Sequence, residues 1–404
     1  MLQLSVLTFK KGSYVLVEGK KEDRFYIIQK GNIRISHEIE IPGTVPEVLG
    51  PGDFAGVISC MSGQANQESA IAMTDVMVIA VKREQYPELF QNNTPVALKV
   101  IRTFAKKMRE TNEAIMLQTA SSVATDNPEQ IFDVAEYYDN DDQTDIAVFS
   151  YYQYLKAVQS GPRADKSKIR FAKLKKGSGA VYLEPTADPV RQYPKNTMIF
   201  SEAQSGAEMF IIQQGSVKIS KVVMDDGDEE GREVTFAILK KGDMFGEMAL
   251  LENKPRSASA IANDDCVLMT VNKQNFNQMV TSQPQMIARL TTTFAQRLWP
   301  MSRQLINAML PDPVAKMLDM LCLQLEKNKV GPDTGNNYQT SYTPSDIATM
   351  CGLSKEDQAK TMYKFQTNSL IKVEKNKIKI PDVDQLYKQS IFYRKTLARK
   401  LASN

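Results

Sequence analysis

Two distant segments of the chain repeat one sequence pattern. The segment FYIIQKGNIRIS (25–36) corresponds to MFIIQQGSVKIS (209–220), and GPGDFAGVISCMSGQANQESAIA (50–72) corresponds to KKGDMFGEMALLENKPRSASAIA (240–262). Each copy alternates apolar and polar residues in short runs separated by Gly-Asp or Gly-Asn turns, which is typical of antiparallel strands in a roll or barrel. A repeat of this kind constrains the architecture, because both copies are expected to adopt the same fold. We therefore predict two β-rolls in one chain of 404 residues.

A long amphipathic helix is predicted after each copy, over 94–120 and over 284–310. In the second helix, Pro300 removes an amide donor and is expected to kink the helix or to end its regular part. The apolar residues of this helix recur every three or four positions, which fits either a face turned to the core or a seam between paired helices. They are Ile287, Leu290, Phe294, Leu298, Met301, Leu305 and Ala308.

The segment between the two copies carries a different pattern. Residues 128–174 contain two helical patterns with Ala and Tyr at repeat-like spacing, together with a Gly-Pro turn. They resemble a single helix–turn–helix unit of the tetratricopeptide type, and one such unit cannot bury its own faces. We interpret 121–180 as a helical linker and 128–174 as a candidate docking site for a protein partner.

The C-terminal region is basic relative to the rest of the chain. Its last 65 residues contain twice as many basic as acidic side chains, although the net charge of the whole chain is only +3. This asymmetry points to a polyanionic partner. Thr343 and Asp346 form a capping pattern for one helix, and Ser354 and Asp357 repeat it for a second. The stretch LIKVEKNKIKIP then predicts a hairpin, and this order of elements is typical of a winged helix-turn-helix.

The composition disfavours most enzyme classes. His37 is the only histidine, so an imidazole triad or relay has one candidate residue. The four cysteines lie far apart without zinc-ligand spacing, which predicts reduced thiols and no metal site. Neither a signal peptide nor an apolar stretch of membrane-spanning length is visible. We therefore predict a cytoplasmic protein that is not an enzyme, binds no cofactor and does not associate with a membrane.

The second copy contains a carboxylate and a guanidinium with small residues between them. In this stretch, Arg256 can hold a phosphate with two parallel hydrogen bonds. Glu247 can only accept hydrogen bonds, so it suits a hydroxyl donor rather than a phosphate. Backbone amides at a helix start, beside small residues such as Ala249, can complete an anion site. The alternative is that Glu247 and Arg256 pair with each other or cap turns.

The residues Phe245-Gly246-Glu247, Ala249-Leu250 and Pro255-Arg256-Ser257-Ala258 resemble the phosphate-binding cassette of the cyclic-nucleotide-binding domain family. The resemblance implies cAMP or cGMP as the ligand, with Glu247 on the ribose and with Arg256 and Ser257 on the cyclic phosphate. Ser302 aligns with a base-contacting position of the catabolite-activator branch, where the neighbouring residue is Thr rather than Met301. The implied nucleotide-binding residues are Gly246, Glu247, Met248, Ala249, Arg256, Ser257 and Ser302.

The first copy lacks the charges of the cassette. Val57 stands where the second copy has Glu247, Asn66 where it has Arg256, and Glu68 where it has an alanine. A carboxylate at this last position repels a phosphate. We expect a first roll that packs but does not bind a nucleotide.

The C-terminal region resembles the winged helix of the catabolite-activator and fumarate-nitrate regulator family. The resemblance implies DNA contacts from Ser354, Lys355, Glu356, Lys360 and Lys364. A lysine can donate to guanine and a glutamate can accept from cytosine, so direct base readout is compatible with these residues. The alternative is a basic surface on a fold that does not bind DNA. Backbone phosphates would be contacted by Lys364, Lys372, Lys375, Lys377 and Lys379.

Together these patterns predict an α+β multidomain protein and a cyclic-nucleotide-responsive transcription regulator. In the predicted mechanism, nucleotide in the second roll shifts the long helix near Ser302 and re-aims the winged helix on double-stranded DNA. The alternative is a sensor that acts by protein docking. A palindromic DNA site would need a homodimer, whereas the two long helices of one chain could also pair internally. The predicted domains are rolls at 1–93 and 181–283, long helices at 94–120 and 284–310, a linker at 121–180, a winged helix-turn-helix at 311–390 and a basic tail at 391–404.

Overall fold

A computed structural model describes residues 4–40, 46–91, 94–119, 127–224 and 231–403. The predicted boundaries after residues 93 and 120 fall outside these ranges. The chain forms two compact units, one built from Met1–Ile115 and Val280–Asn404, the other from Met116–Met279. The first unit therefore combines both ends of the chain. Across the described residues, no helix has the length and hydrophobicity needed to cross a membrane.

The first roll consists of two four-stranded antiparallel sheets. Their strand orders are β1-β8-β3-β6 and β2-β7-β4-β5, with helix α1 (Val57–Ser62) between β6 and β7. The alternating apolar residues of the strands meet between the sheets and form a core that includes Leu16, Ile33 and Val78. The strands are β1 (Ser5–Phe9), β2 (Tyr14–Leu16), β3 (Arg24–Lys30), β4 (Ile33–Ser36), β5 (Val48–Leu49), β6 (Phe54–Ala55), β7 (Ser69–Ala72) and β8 (Val76–Lys82).

The second roll has the same topology. Its sheets have the orders β14-β11-β16-β9 and β10-β15-β12-β13, which match those of the first roll strand for strand, and α7 (Glu247–Glu252) takes the place of α1. The predicted repeat of two antiparallel rolls is confirmed. The strands are β9 (Val190–Tyr193), β10 (Met198–Phe200), β11 (Glu208–Gln214), β12 (Ser216–Val223), β13 (Arg232–Lys240), β14 (Met244–Phe245), β15 (Ser259–Ala262) and β16 (Cys266–Asn272).

Three helices precede the second roll and pack on it within the same unit. They are α4 (Glu129–Asn140), α5 (Thr144–Ala157) and α6 (Pro162–Leu174). Their apolar face, including Phe132 and Tyr151, shares a core with Met198 and Ile261 of the roll. The second roll therefore covers the apolar face that one such unit cannot bury by itself, and a protein partner for 128–174 stays a prediction.

Helices α2 (Tyr86–Gln91) and α3 (Thr94–Thr119) follow the first roll, and α8 (Lys273–Ser282) and α9 (Pro284–Ala308) follow the second. The periodic apolar residues of α9 are buried, so the core-facing alternative holds in this structure. Pro300 lies inside α9 without ending it, contrary to one of the two predicted effects. Pro300 cannot donate a backbone hydrogen bond, but the residues before and after it remain packed in the core. Leu298 and Met301 are both buried, and this packing compensates for the missing bond.

The C-terminal module, defined as residues 313–402, contains the predicted sequence of elements. Thr343 and Asp346 cap each other at the start of α11, and the Ser354 hydroxyl accepts from the Asp357 amide at the start of α12. The predicted hairpin is present, and a third strand that was not predicted joins it. The elements are α10 (Pro313–Lys327), β17 (Asn336–Gln339), α11 (Pro344–Met350), α12 (Lys355–Gln366), β18 (Lys372–Glu374), β19 (Lys377–Asp382) and α13 (Val383–Ala402).

The predicted basic tail at 391–404 is not a separate segment. Helix α13 continues through Ala402, and its Leu397 is buried in a small cluster with Ile39 and Leu310. Arg394 also reaches inward, with its Nε 3.4 Å from an oxygen of the buried Asp319. Apolar burial and this ion pair hold the last turns of the helix in the fold.

Candidate functional site

The candidate site of the second roll is built on a backbone ladder between two loops. The amide of Ala203 donates to the Arg256 carbonyl at 2.8 Å, and the Arg256 amide donates to the Gln204 carbonyl at 2.9 Å. These two bonds fix the position of the segment 255–257, which we call the arm of the second roll. The side chain of Arg256 is thereby directed at the start of α7.

Arg256 is buried and only partly satisfied. Its side chain is 6% exposed, its guanidinium lies 4.1 Å from the centre of the Phe200 ring, and its Nη1 donates to the Gly246 carbonyl at 2.6 Å. Within the described ranges, its Nε has no hydrogen-bond partner. Burial lowers the pKa of Arg256 to about 10, although Glu208 and Glu247 act in the opposite direction. A buried cation with an unused donor is costly unless an anion completes its contacts.

Two glycines make room for the guanidinium. Gly246 has a φ of 77°, a conformation that other residues rarely adopt, and a Cβ atom there would lie 2.7 Å from Nη1 of Arg256. A Cβ atom at Gly206 would collide with Nε of the same side chain. The arm and α7 can approach each other closely because both positions lack a side chain.

The other predicted nucleotide-binding residues fall in two places. Glu247, Met248 and Ala249 form the buried first turn of α7, and the Ser257 hydroxyl lies 3.8 Å from the sulfur of Met248. The structure thus brings the cassette residues together at one end of the second roll. Ser302 lies on α9 in the other unit, where its hydroxyl donates to the Leu298 carbonyl. Its assignment to the nucleotide stays a prediction.

Glu202 is a buried carboxyl group beside the arm that was not assigned a role from the sequence. Its Oε1 accepts from the Val222 amide at 3.1 Å, and its Oε2 is 3.6 Å from Nζ of Lys221. Burial raises the pKa of Glu202 to about 7, because it outweighs both of these contacts. The sequence contained one signal for this residue, since the two copies align Glu202 with Glu18.

We expect Glu202→Gln to change the pH dependence of stability. The folded-state pKa lies above the ordinary value, so the folded state binds the proton more tightly. The wild type therefore loses stability as the pH rises from about 4.5 to about 7, by up to about 3 kcal/mol. The glutamine variant should lack this loss in urea unfolding between pH 4.5 and 8. Glu252→Gln at the end of α7 is the control, and equal pH slopes for wild type and Glu202→Gln would contradict the prediction.

The first roll keeps the backbone ladder but not the charges. The Gly19 amide donates to the Asn66 carbonyl at 2.7 Å, and the Asn66 amide donates to the Lys20 carbonyl at 2.8 Å. The side chain of Asn66 turns to the facing loop after β2 and donates to the Val17 carbonyl at 3.3 Å. Position 66 thus carries a short amide where the second roll carries the guanidinium of Arg256.

The predicted DNA-contacting residues lie at the start and along the outer face of α12. Ser354 caps the helix, and Lys355 is its first residue. Glu356 and Lys360 are exposed and form an ion pair one turn apart, and Lys364 is exposed on the next turn. Among the residues that the structure describes, no group of three or more His, Cys, Asp or Glu side chains is arranged to hold a metal ion.

Comparison with known families supports the resemblance drawn from the cassette. Residues 6–93 and 190–283 each match the family described as the cyclic nucleotide-binding domain. The chain contains two cyclic nucleotide-binding domains. The two matches cover the first roll and the second roll, so the degenerate copy belongs to the same family as the copy that carries Arg256.

Curated relatives are catabolite-activator-type regulators at low identity. The CRP-like cAMP-activated global transcriptional regulator of Mycobacterium tuberculosis is 25% identical over 200 residues, which is 49% of this chain and 86% of that protein. The cAMP-activated global transcriptional regulator CRP of Pasteurella multocida is 26% identical over 183 residues, which is 45% of this chain and 85% of that protein. A solved CooA mutant from Carboxydothermus hydrogenoformans matches with a TM-score of 0.39 and 16% identity, covering 50% of this chain and 87% of that chain. Both curated relatives are named as transcriptional regulators.

Proposed function

We propose that this protein is a cyclic-nucleotide-responsive DNA-binding transcription regulator that senses cAMP or cGMP through its second roll. The observation that carries the proposal is Arg256, a buried guanidinium whose Nε has no hydrogen-bond partner among the residues that the structure describes. A cyclic phosphate supplies the missing acceptor and the negative charge together. The names of the curated relatives, which are cAMP-activated regulators, support the same ligand class.

The proposed roles of the cassette residues follow from their chemistry. Arg256 and Ser257 donate to the oxygens of the cyclic phosphate, and the amides of Met248 and Ala249 complete the anion site above Gly246. Glu247 has only acceptor atoms, so it takes the ribose 2′-hydroxyl. We assign the base contact to Ser302, as the alignment implies.

The C-terminal module is proposed to be a winged helix-turn-helix. In this interpretation α11 and α12 form the helix-turn-helix, β18 and β19 form the wing, and α12 is the recognition helix. Ser354, Lys355, Glu356, Lys360 and Lys364 then contact DNA, while the lysines of the hairpin contact phosphates. The outer face of α12 also carries Tyr363, which is 76% exposed. This exposure leaves the ring free to contact a DNA backbone or a thymine methyl group.

DNA binding is tested by titrating the full-length protein with double-stranded DNA at several salt concentrations, with and without cAMP or cGMP. A randomised duplex pool, enriched by repeated selection, supplies the probe. If 6–10 phosphates are contacted, the affinity is expected to fall about 10³- to 10⁵-fold between 50 and 200 mM salt. Lys360→Ala should relax the base preference. Lys364→Ala should weaken binding to all duplexes alike and lower the slope of log affinity against log salt concentration by about 1.

The second candidate is a cyclic-nucleotide sensor that acts through protein docking with a module that does not bind DNA. The ion pair between Glu356 and Lys360 favours this candidate, because it occupies the lysine that would otherwise read a base. No retarded duplex, or an affinity that does not change with salt, would exclude the DNA-binding function. The protein-docking function would then explain the chain better.

A further inference from the structure

The first roll contacts helix α9 through the segment that aligns with the arm of the second roll. We call this segment, residues 65–67, the arm of the first roll. Nε1 of Trp299 donates to the Ala65 carbonyl at 2.9 Å, and Nε2 of Gln67 donates back to the Trp299 carbonyl at 2.8 Å. The two hydrogen bonds engage both the side chain and the backbone of Trp299. The same segment of the fold therefore carries a guanidinium in the second roll, whereas in the first roll its Ala65 carbonyl and Gln67 side chain bind a helix.

Trp299 also joins the first roll to the C-terminal module. The indole is 6% exposed and belongs to a core cluster whose other buried members, such as Leu321 and Phe365, come from that module. Ile58, on helix α1 of the first roll, packs against the same cluster. The tryptophan is thus buried between the degenerate cassette and the module that carries α12.

A second contact fixes the first half of α9. The hydroxyl of Tyr86, on α2, and the hydroxyl of Thr291, on α9, form a hydrogen bond of 2.7 Å. Both residues are fully buried. The helices after the first roll and the arm of that roll therefore hold α9 at points two turns apart.

A buried ionic network ties α9 to the C-terminal module. Nη2 of Arg303 is 3.2 Å from Oδ1 of Asp319, and Nδ2 of Asn307 is 3.0 Å from Oδ2. From α13, the Ser390 hydroxyl donates to Oδ1 at 2.6 Å, and Nε of Arg394 lies 3.4 Å from the same oxygen. Asp319 is completely buried, so separating these helices would leave a charge without its partners.

We propose that the arm of the first roll binds α9 without needing a ligand. The first roll, α9 and the C-terminal module would therefore move as one body. Separation at the arm would expose the Trp299 indole, unpair its Nε1 and break the hydrogen bond from Gln67 to the Trp299 carbonyl. A ligand can drive such a change only by the difference between its affinities for the two states. The inference goes beyond nucleotide sensing and gives the roll that lost its charges a defined role in positioning α12.

The test uses the single tryptophan of the chain and amide hydrogen exchange of the full-length protein. Gln67→Met removes the donor to the Trp299 carbonyl while keeping a side chain of similar length. The loss of one hydrogen bond is expected to raise the exchange rate of amides in 57–67 and in the second half of α9 about 2- to 10-fold. Gln64→Met, in the same loop, is the matched control and should leave exchange unchanged.

Two outcomes would overturn the inference. Equal exchange in the Gln67→Met and Gln64→Met variants would show that the arm does not hold α9. A red shift of Trp299 fluorescence, or greater acrylamide quenching, on adding saturating cAMP or cGMP would show that the contact opens with ligand. The exchange measurement needs neither nucleotide nor DNA. Failure of the proposed function, seen as the absence of calorimetric binding, is therefore distinguishable from failure of this inference.

Discussion

Replacing Arg256 by alanine is expected to weaken cyclic nucleotide binding by about 30-fold or more, because the phosphate loses a buried charge-assisted partner. Calorimetry of the full-length protein with cAMP and with cGMP measures this effect. The wild type should bind one nucleotide per chain, since the first roll has Asn66 at the equivalent position. Arg256→Lys should give an intermediate affinity, because an ammonium keeps the charge but not the planar fork.

The repeat supplies a matched control for this experiment. Asn66→Ala changes the equivalent residue of the first roll and should leave both stoichiometry and affinity unchanged. Undiminished binding by Arg256→Ala would mean that the phosphate is held elsewhere. Two sites per chain in the wild type would mean that the first roll also binds a nucleotide and that its missing charges are not required.

Replacing Asp319 by asparagine or alanine is expected to destabilise the unit that contains the C-terminal module by about 3–5 kcal/mol, because Arg303 and Arg394 would lose the fully buried carboxylate that both contact. Burial by itself would raise the pKa of Asp319, but these two guanidinium groups outweigh it and hold the pKa below its ordinary value. The carboxylate therefore contributes its full stabilisation at neutral pH, and the contribution is lost as the pH falls below the ordinary aspartate range.

Urea unfolding at neutral and acidic pH tests this expectation. The difference between the wild type and Asp319→Asn should be largest at neutral pH and should shrink as Asp319 becomes protonated in the wild type. Asp384→Asn is the control, because Asp384 pairs with Lys388 at the surface of α13 and should matter little. A similar small effect for both variants would show that the network does not hold the helices together.

Local sequence features located the turn, helix and loop that carry the candidate cassette of the second roll. The backbone around Gly246, Glu247 and Arg256 is set by a short turn, a six-residue helix and an adjacent loop, so residue types and spacing carry the necessary information. Sequence reasoning missed the surroundings of the guanidinium. Phe200 and Gly206 approach Arg256 from a separate strand and loop, and their positions depend on how the strands of the roll pair.

The sequence also left the effect of Pro300 and the use of the apolar faces undecided. A proline interrupts an isolated helix, but α9 is covered by other elements along its length, and packing retains the helix through residue 300. The linker helices likewise have an apolar face, and the sequence does not say what covers it. In the structure, strands of the second roll cover this face. Amphipathic periodicity reports that a face is buried and does not report what buries it.

The sequence alone determined the tandem rolls, the missing charges of the first roll and the order of elements near the C-terminus, because each depends on spacings within a few dozen residues. Only the tertiary structure decided that Trp299 binds the arm of the first roll and that Asp319 links α9 to α13. Trp299 and Ala65 are separated by 234 positions, and many compact arrangements satisfy the same local preferences. The choice among such arrangements depends on complementary packing and on the pairing of buried polar groups, which appear only when distant segments meet.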